Sequence, residues 1–468
     1  MSWRTIVKEK NIEAVEIYFS NLFGSLRLDA ECYQQKYLGI DLLLSRKTTR
    51  PLIDFTKVTD GDHSKFPESQ KDEVRYLRSK DIKKYFLVDD DPVFVSTEYF
   101  NKQKRSHIFG ENILISIMGN VGDITITPKK FDVCIANRAV CILKDIKINP
   151  YFLFAYLISD VANLNIERLK TGGVQERINL EILQTLPIPV SQEDELNKAI
   201  EALVINAHKT NESSKESLLE AEQMLLKEIN LEGYKGTNEA ISVRNFSEAL
   251  ADNRFDAEYW QPDYNVIQNA IKKHKDGYDT LDNLFDILDK KMTIDPERAY
   301  LYVELADVNG AMGTIDNFTE LQGKELPSRG RMSLKKNDIV MSSLDGSLNK
   351  IALVTSDAKN IIGSTGFFVL RQKEYEPEVA LMLLKSRPIR TLLERQGQGT
   401  ILSAIPKHSL SRVVLPKLNQ TTKNKIKELV LSAHSQKEEA KELLEKAKRA
   451  VEVFVERDEE AALAFLSA

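Results

Sequence analysis

The sequence predicts an α+β chain built twice: two mixed α/β domains, related by pseudo-two-fold symmetry, joined by two long helices that pair with each other. The first observation behind this is a repeat. "RLDAECYQQKY" begins at Arg27 and "RFDAEYWQPDY" at Arg254, with six of eleven positions identical, where unrelated segments of ordinary composition share about one. The offset of 227 then persists within one residue. "YLRSKDI" from Tyr76 answers "YVELADV" from Tyr302, Pro150 answers Pro377, and Gly172, Ile178, Leu183 and Pro189 answer Gly399, Ile405, Leu410 and Pro416. An offset held across both halves marks a tandem duplication.

The second observation is the pattern within each copy. Short apolar runs such as "ILISI", "ITIT", "AVCIL", "DIVM", "KIALV" and "GFFVL" are of strand length and are bounded by turn residues. Pro150 and Pro377 each open an apolar helical stretch, as the first helical position allows. "INPYF" around Pro150 is one proline short of the Asn-Pro-Pro-Tyr signature of adenine methyltransferases, so Pro150 reads as a helix start.

The third observation is a pair of charged segments without Gly or Pro, from Glu193 to about Asn230 and from Thr421 to about Glu456. In the second, Ile426, Leu429, Ala433, Gln436, Ala440, Leu443, Ala447, Ala450 and Phe454 step by three and four, one face of a coiled coil. The first carries Leu196, Ile200, Leu203 and Ala207, then Leu218, Ala221, Leu225 and Ile229. Neither helix hides its seam alone, and each is the simplest partner of the other.

Composition narrows the class. The chain has 468 residues, is 42% hydrophobic and carries a formal charge of −5, so sizeable cores are expected and indiscriminate nucleic-acid binding is disfavoured. The charged N-terminal stretch lacks the apolar block of a signal peptide, and no run is apolar enough for a membrane span. Cys32, Cys134 and Cys141 form no CxxC pair, which suits a reducing cytoplasm. The six histidines show no metal-ligand spacing, and no catalytic constellation or phosphate loop is evident. The expectation is a chain with no metal and no cofactor of its own.

Taken together, the "RxDAE" segments, "VTDGDH", "YLRSKDI", "ILISIMGNVG", "KTGGVQERINLEILQTLPIP" and the long helix after each such segment resemble the specificity subunit of type I restriction–modification systems. The resemblance spans essentially the whole chain. It implies a target-recognition domain in each copy, 1–190 and 236–416 with their flanking segments, and conserved helices at 191–235 and 417–460 paired antiparallel, before a tail at 461–468. It further implies a non-catalytic reader of a split site in double-stranded DNA that docks two methyltransferase subunits and, through them, the restriction translocase. S-adenosylmethionine, ATP and Mg would then belong to those partners. The second copy departs from the pattern, with "LDKKMTIDPE" in place of the "DGxH" loop and "DGSLN" in place of "GNVG". Because the copies agree in scaffold and differ in detail, an asymmetric bipartite site is expected. The alternatives are a stand-alone DNA methyltransferase or nuclease, and a structural coiled-coil adaptor.

Candidate DNA contacts are cations in loop-like segments, which neutralise phosphates, and polar side chains beside glycine, which reach base edges. They are Arg46, Lys47 and Arg50; Thr59, Gly61, His63 and Lys65, with Gly61 in a tight turn; Arg78 and Lys80; Lys102, Lys104 and Arg105; Lys170, Thr171, Gln175 and Arg177; and Arg329, Arg331, Lys335 and Lys336. The competing reading of each is a solvated surface. The Arg, Asp and Glu of "RLDAE" invite a nuclease reading, but an ion pair such as Arg27–Asp29 or Arg27–Glu31, anchoring a joint built twice, explains the repetition better.

Overall fold

The structure is a computed structural model that describes residues 28–65, 68–69, 71, 73–172, 175–191, 193–237, 241–399 and 403–468. Its contacts divide it into unit 1, up to Asn211 and from Glu438 onward, and unit 2, Glu212–Lys437.

In unit 1 eight strands build two sheets: β1 (Lys57–Asp60), β2 (Val74–Leu77), β3 (Val93–Val95), β4 (His107–Ile108), β5 (Ile113–Ser116), β6 (Ile124–Ile126), β7 (Cys134–Ala136) and β8 (Val140–Lys144). One sheet has the order β1-β8-β5-β6 and is antiparallel throughout. The other has the order β3-β2-β7-β4, with β2 and β7 parallel. Unit 2 repeats this with β9 (Phe285–Leu288), β10 (Ala299–Val303), β11 (Thr319–Gln322), β12 (Gly330–Leu334), β13 (Ile339–Ser342), β14 (Ile351–Leu353), β15 (Ile361–Ser364) and β16 (Phe367–Gln372). The orders are β9-β16-β13-β14 and β11-β10-β15-β12, with β10 and β15 parallel. Even the parallel register is kept: Tyr76 faces Ile135, and Tyr302 faces Ile362. The duplication read from the letters is a duplication of topology.

The strand runs lack polar alternation because both faces are covered. Ile113 and Ile115 of β5 join the core with helices Pro150–Leu157 and Asp160–Leu169, while Leu114 between them joins a second core with Leu77, Ile108 and Cys134. In unit 2, Ile339 and Met341 face the helix side and Val340 the other. Pro150 and Pro377 do start helices, and Asn149 caps the first by accepting the Tyr151 and Phe152 N–H groups at 3.0 and 3.1 Å. The three cysteines are buried and form no disulfide among the described residues; burial pushes the Cys134 thiol up to about 12.

The Arg27 pairing lies outside the described residues, but its repeat is present. Arg254 donates to both carboxylate oxygens of Asp256 at 2.6 Å, and to the Gly397 carbonyl at 3.2 Å. The same joint has an aromatic half. Arg168, 3% exposed, lies over the Tyr33 and Tyr37 rings, 5.6 and 5.8 Å away. Its repeat partner Arg395, 7% exposed, lies over Trp260 and Tyr264 at 5.5 and 5.6 Å. The tyrosines and tryptophan of the repeated letters thus hold a buried guanidinium against the helix that leads to the glycine loop.

The long helices are α1 (Asp194–Glu228) and α2 (Gln420–Glu456), and a third, Glu459–Ser467, forms where only a tail was expected. The boundary between units falls inside both α1 and α2. Within unit 2, Ser214 Oγ donates to the Ala433 carbonyl at 2.6 Å, and Asn419 Nδ2 to Glu228 Oε1 at 2.5 Å. As position rises along α1 its partner on α2 falls, so these segments run antiparallel. Leu218, Ala221, Leu225 and Ile229 share one core with Ile426, Leu429, Val430 and Ala433. Within unit 1, Ile200, Val204 and Ala207 share another with Leu444, Ala447, Ala450 and Phe454. Leu203 and Leu443 are half-buried beside their neighbours Val204 and Leu444. The reason is phase: ~3.6 residues per turn mixes steps of three and four, and in both helices a step of four, Ile200 to Val204 and Ala440 to Leu444, falls where a step of three was expected. Among the described residues, no helix is long and apolar enough to cross a membrane.

Candidate nucleic-acid interface

In unit 1 two loops distant in sequence meet. After β1 the chain runs through Gly61, whose N–H reaches the Val140 carbonyl at 3.0 Å, and Asp62, whose N–H reaches the Ala136 carbonyl at 2.7 Å. His63 then binds Asp60 Oδ2 through Nε2 at 2.7 Å. Arg105, arriving from the segment before β4, binds the other Asp60 oxygen, while Tyr99 donates to Asp62. Burial, then the Asp62 carboxylate, pushes the Tyr99 phenol up to about 12. His63 and Arg105 are thereby held on one carboxylate with their side chains 60% and 67% exposed. Lys65 and Lys104 stand exposed in the same two loops. Lys102 is exposed too and pairs with Glu98 at 2.6 Å.

Unit 2 builds the same corner from different letters. The segment after β9 leans on β12, with the Met292 N–H donating to the Arg331 carbonyl at 2.8 Å. This lines an open groove of about 720 Å³ with Lys291, Thr293, Ser328, Arg329, Arg331 and Thr365. Arg329 is held by Glu304 at 2.5 Å and by the Tyr302 hydroxyl at 3.3 Å, yet its side chain remains 60% exposed. Three cations and three hydroxyls in one groove suit a phosphate backbone and the base edges beside it. Lys291, Thr293, Ser328 and Thr365 were not among the sequence candidates. The repeat offset was a partial signal: at 226 it sets Arg331 opposite Arg105, and at 227 it sets Lys290, the neighbour of Lys291, opposite His63.

Several candidates are placed differently from expectation. Thr59 is buried, 5% exposed, with its hydroxyl on a backbone carbonyl, so it reaches nothing outside. Gly61 is no turn: a Cβ there would lie 2.2 Å from the Asn137 oxygen and 2.3 Å from that of Ala136, so the glycine permits two backbones to touch. "SRGRMSLKK" is no single loop, because Gly330–Leu334 is strand β12. Arg329 precedes it, Arg331 lies within it, and Lys335 and Lys336 follow it, Lys336 pairing with Asp357 at 2.8 Å. Lys47 docks on the end of α2, donating to the Arg457 carbonyl with its ammonium 5.0 Å from the Phe454 ring centre. Burial there lowers its pKa.

The remainder divide by partner. Arg50 pairs with Asp54 at 2.9 Å, and Arg46 is exposed. Arg78 forks onto Asp81 at 3.0 and 3.1 Å, and Lys80 pairs with Asp91 at 2.8 Å. This turn is duplicated as well: Asp81 takes the Arg78 N–H and Asp307 the Glu304 N–H, each at 2.8 Å. Lys170 and Thr171 pair with Ile178 and Arg177 in a small hairpin, with Gly172 at φ +99°. Lys170 binds Glu176 at 2.9 Å, while Gln175 and Arg177 are exposed near its tip. The hairpin meets the "IMGNVG" loop through Met118 and Arg177, and Leu344 meets Ala404 in unit 2.

Lys144 supports the unit 1 corner by donating to the Arg105 carbonyl at 2.7 Å. Burial, then the Lys57 charge, lowers its pKa to about 8. The folded state therefore binds fewer protons than the unfolded chain between about pH 8 and the unfolded lysine value of about 10.4. Stability should rise with pH across that window. Lys144→Met is expected to remove this increment in denaturation curves at pH 7.5 and 10; equal gains in both proteins would refute the assignment.

Residues 47–223 match the family described as "Type I restriction modification DNA specificity domain". No curated protein matches the chain. Among solved structures, the chain is similar to the type I restriction–modification S subunit of M. genitalium, with 14% identity, TM-score 0.33, and coverage of 87% of this chain and 95% of that one. It is also similar to the HsdS subunit of Thermoanaerobacter tengcongensis, with 14% identity, TM-score 0.26, and 90% and 96% coverage. Residues 47–223 are thus similar to a type I restriction–modification DNA specificity domain.

Proposed function

We propose that the chain is the DNA-reading, non-catalytic subunit of a type I restriction–modification complex in the cytoplasm, and that it reads an asymmetric site in two halves, one per unit. The observation that carries this is the pair of equivalent corners. One fold, used twice, presents Asp60, Asp62, His63 and Arg105 in unit 1, and Lys291, Thr293, Arg329 and Arg331 in unit 2. Equal scaffolds with unequal chemistry fit two different half-sites. A duplicated body also offers two near-equivalent surfaces to two copies of one partner, here two methyltransferase subunits that carry S-adenosylmethionine. The ATP- and Mg-dependent restriction subunits join through them.

Mapping methylated bases in host DNA with and without this chain tests the reading. The expected result is loss of one split motif; an unchanged methylation pattern would overturn it. Methyl transfer by the purified chain alone would favour a stand-alone methyltransferase instead. The spacing between half-sites is assigned to the helices. Inserting four residues into α1 lengthens it by ~6 Å and rotates its end by ~40°, so the preferred spacer in a selection over spacer lengths should change. An unmoved optimum would refute the role of the helices.

A further inference from the structure

We propose that Glu228, His274 and Asp276 of unit 2 form a binding site for a divalent transition-metal ion, with zinc the best match to the ligands. His274 lies in the turn after helix Pro262–Lys272, its N–H on the Ile271 carbonyl at 3.1 Å. The imidazole is 1% exposed, and neither ring nitrogen has a hydrogen-bond partner. Buried polar atoms left in this way are costly and uncommon. Its Nε2 points between two carboxylates, 3.7 Å from Asp276 Oδ2 and 3.9 Å from Glu228 Oε1. Both distances are too long for hydrogen bonds. They are longer by about 0.4 and 0.6 Å than the ~3.3 Å that separates ligand atoms around a tetrahedral ion with bonds of ~2.0–2.1 Å, a gap that small side-chain rotations close.

The surroundings fit an ion as well. Glu228 is the last residue of α1, and its carboxylate is oriented by Asn419 Nδ2 at 2.5 Å and Thr422 Oγ1 at 3.3 Å, as metal-bound carboxylates usually are. Asp276 is 38% exposed, which leaves a path in from solvent. Lys275 competes for the site, with its ammonium 3.4 Å from Glu228 Oε1, but its side chain is 68% exposed and can swing away.

The repeat supplies an independent reason. The residue equivalent to His274 in unit 1 is Lys47, whose N–H makes the same turn bond, to Leu44 at 2.9 Å. Lys47 places its ammonium at the C-terminal end of α2, where the helix dipole favours a cation. The end of α1 in unit 2 has a histidine between carboxylates at that position, and a bound ion would supply positive charge there in place of the exposed Lys275 ammonium.

The test uses the full chain, stripped with a chelator and titrated with Zn²⁺ and, separately, Co²⁺. One equivalent should bind, with visible Co²⁺ absorption typical of low coordination and a raised thermal midpoint. His274→Gln should weaken binding by at least about 100-fold, since even outer-shell partners cost 10- to 100-fold. Lys275→Ala should tighten it. Should His274→Gln fail to fold, Asp276→Asn at the exposed edge tests the same site. Binding that is not stoichiometric, or that is equally strong in these ligand variants, overturns the proposal.

Discussion

Gly61→Ala is expected to destabilise unit 1 by at least about 3 kcal/mol, the upper part of the range for overpacking a filled site. The added carbon would meet the Asn137 oxygen, the Ala136 oxygen and the Asn137 carbonyl carbon at 2.2, 2.3 and 2.5 Å. All three are backbone atoms, and no rotamer change moves them aside. Relief requires β1 to separate from the end of β7, which also breaks the Asp62 N–H bond at 2.7 Å and displaces His63 from Asp60. DNA binding should therefore fall as a consequence of lost structure. Gly346→Ala is the control, since nothing lies within 4 Å of a Cβ there. Urea denaturation compares the two; a Gly61→Ala chain within about 0.5 kcal/mol of the parent, the usual range for surface changes, would show that the close approach is absent.

Removing the cations of the unit 2 groove should have the largest effect on DNA. The triple variant Lys291→Ala, Arg329→Ala and Arg331→Ala is expected to bind about 100-fold more weakly at low salt. The slope of log affinity against log salt should be shallower by up to about 0.9 per phosphate contact removed. Binding is measured on the complex with its methyltransferase, and folding is checked by thermal midpoint, because Arg329 also holds Glu304 and Tyr302. A matching variant of unit 1, His63→Ala with Lys65→Ala and Arg105→Ala, should weaken the other half of the site. Unaltered slopes in both variants would remove the groove and its counterpart from the interface.

The repeated letters made the duplicated architecture legible. Strand-length apolar runs, prolines at helix starts and the Gly- and Pro-free helices are local signals, and each depends only on neighbours within one element. The joint at Arg254 was legible for the same reason, because Asp256 is two residues away. Loops were harder to read. "SRGRMSLKK" looks like one basic patch until β12 pairs with β15 and fixes its residues in a strand. Gly61 looks like a turn until Asn137, from the far side of the domain, arrives against it.

Sequence alone thus determined that the chain is built twice, where the long helices and the most apolar strands lie, and which family the whole resembles. Tertiary structure alone decided which polar residues face outward together. Asp60 and Arg105, or Lys291 and Arg331, meet only when strands far apart in the chain pair. It also decided that His274 has no hydrogen-bond partner while two carboxylates flank it. The physical reason is range: periodicity and turn chemistry act over a few residues, whereas burial, charge pairing and ligand geometry depend on what the fold brings alongside.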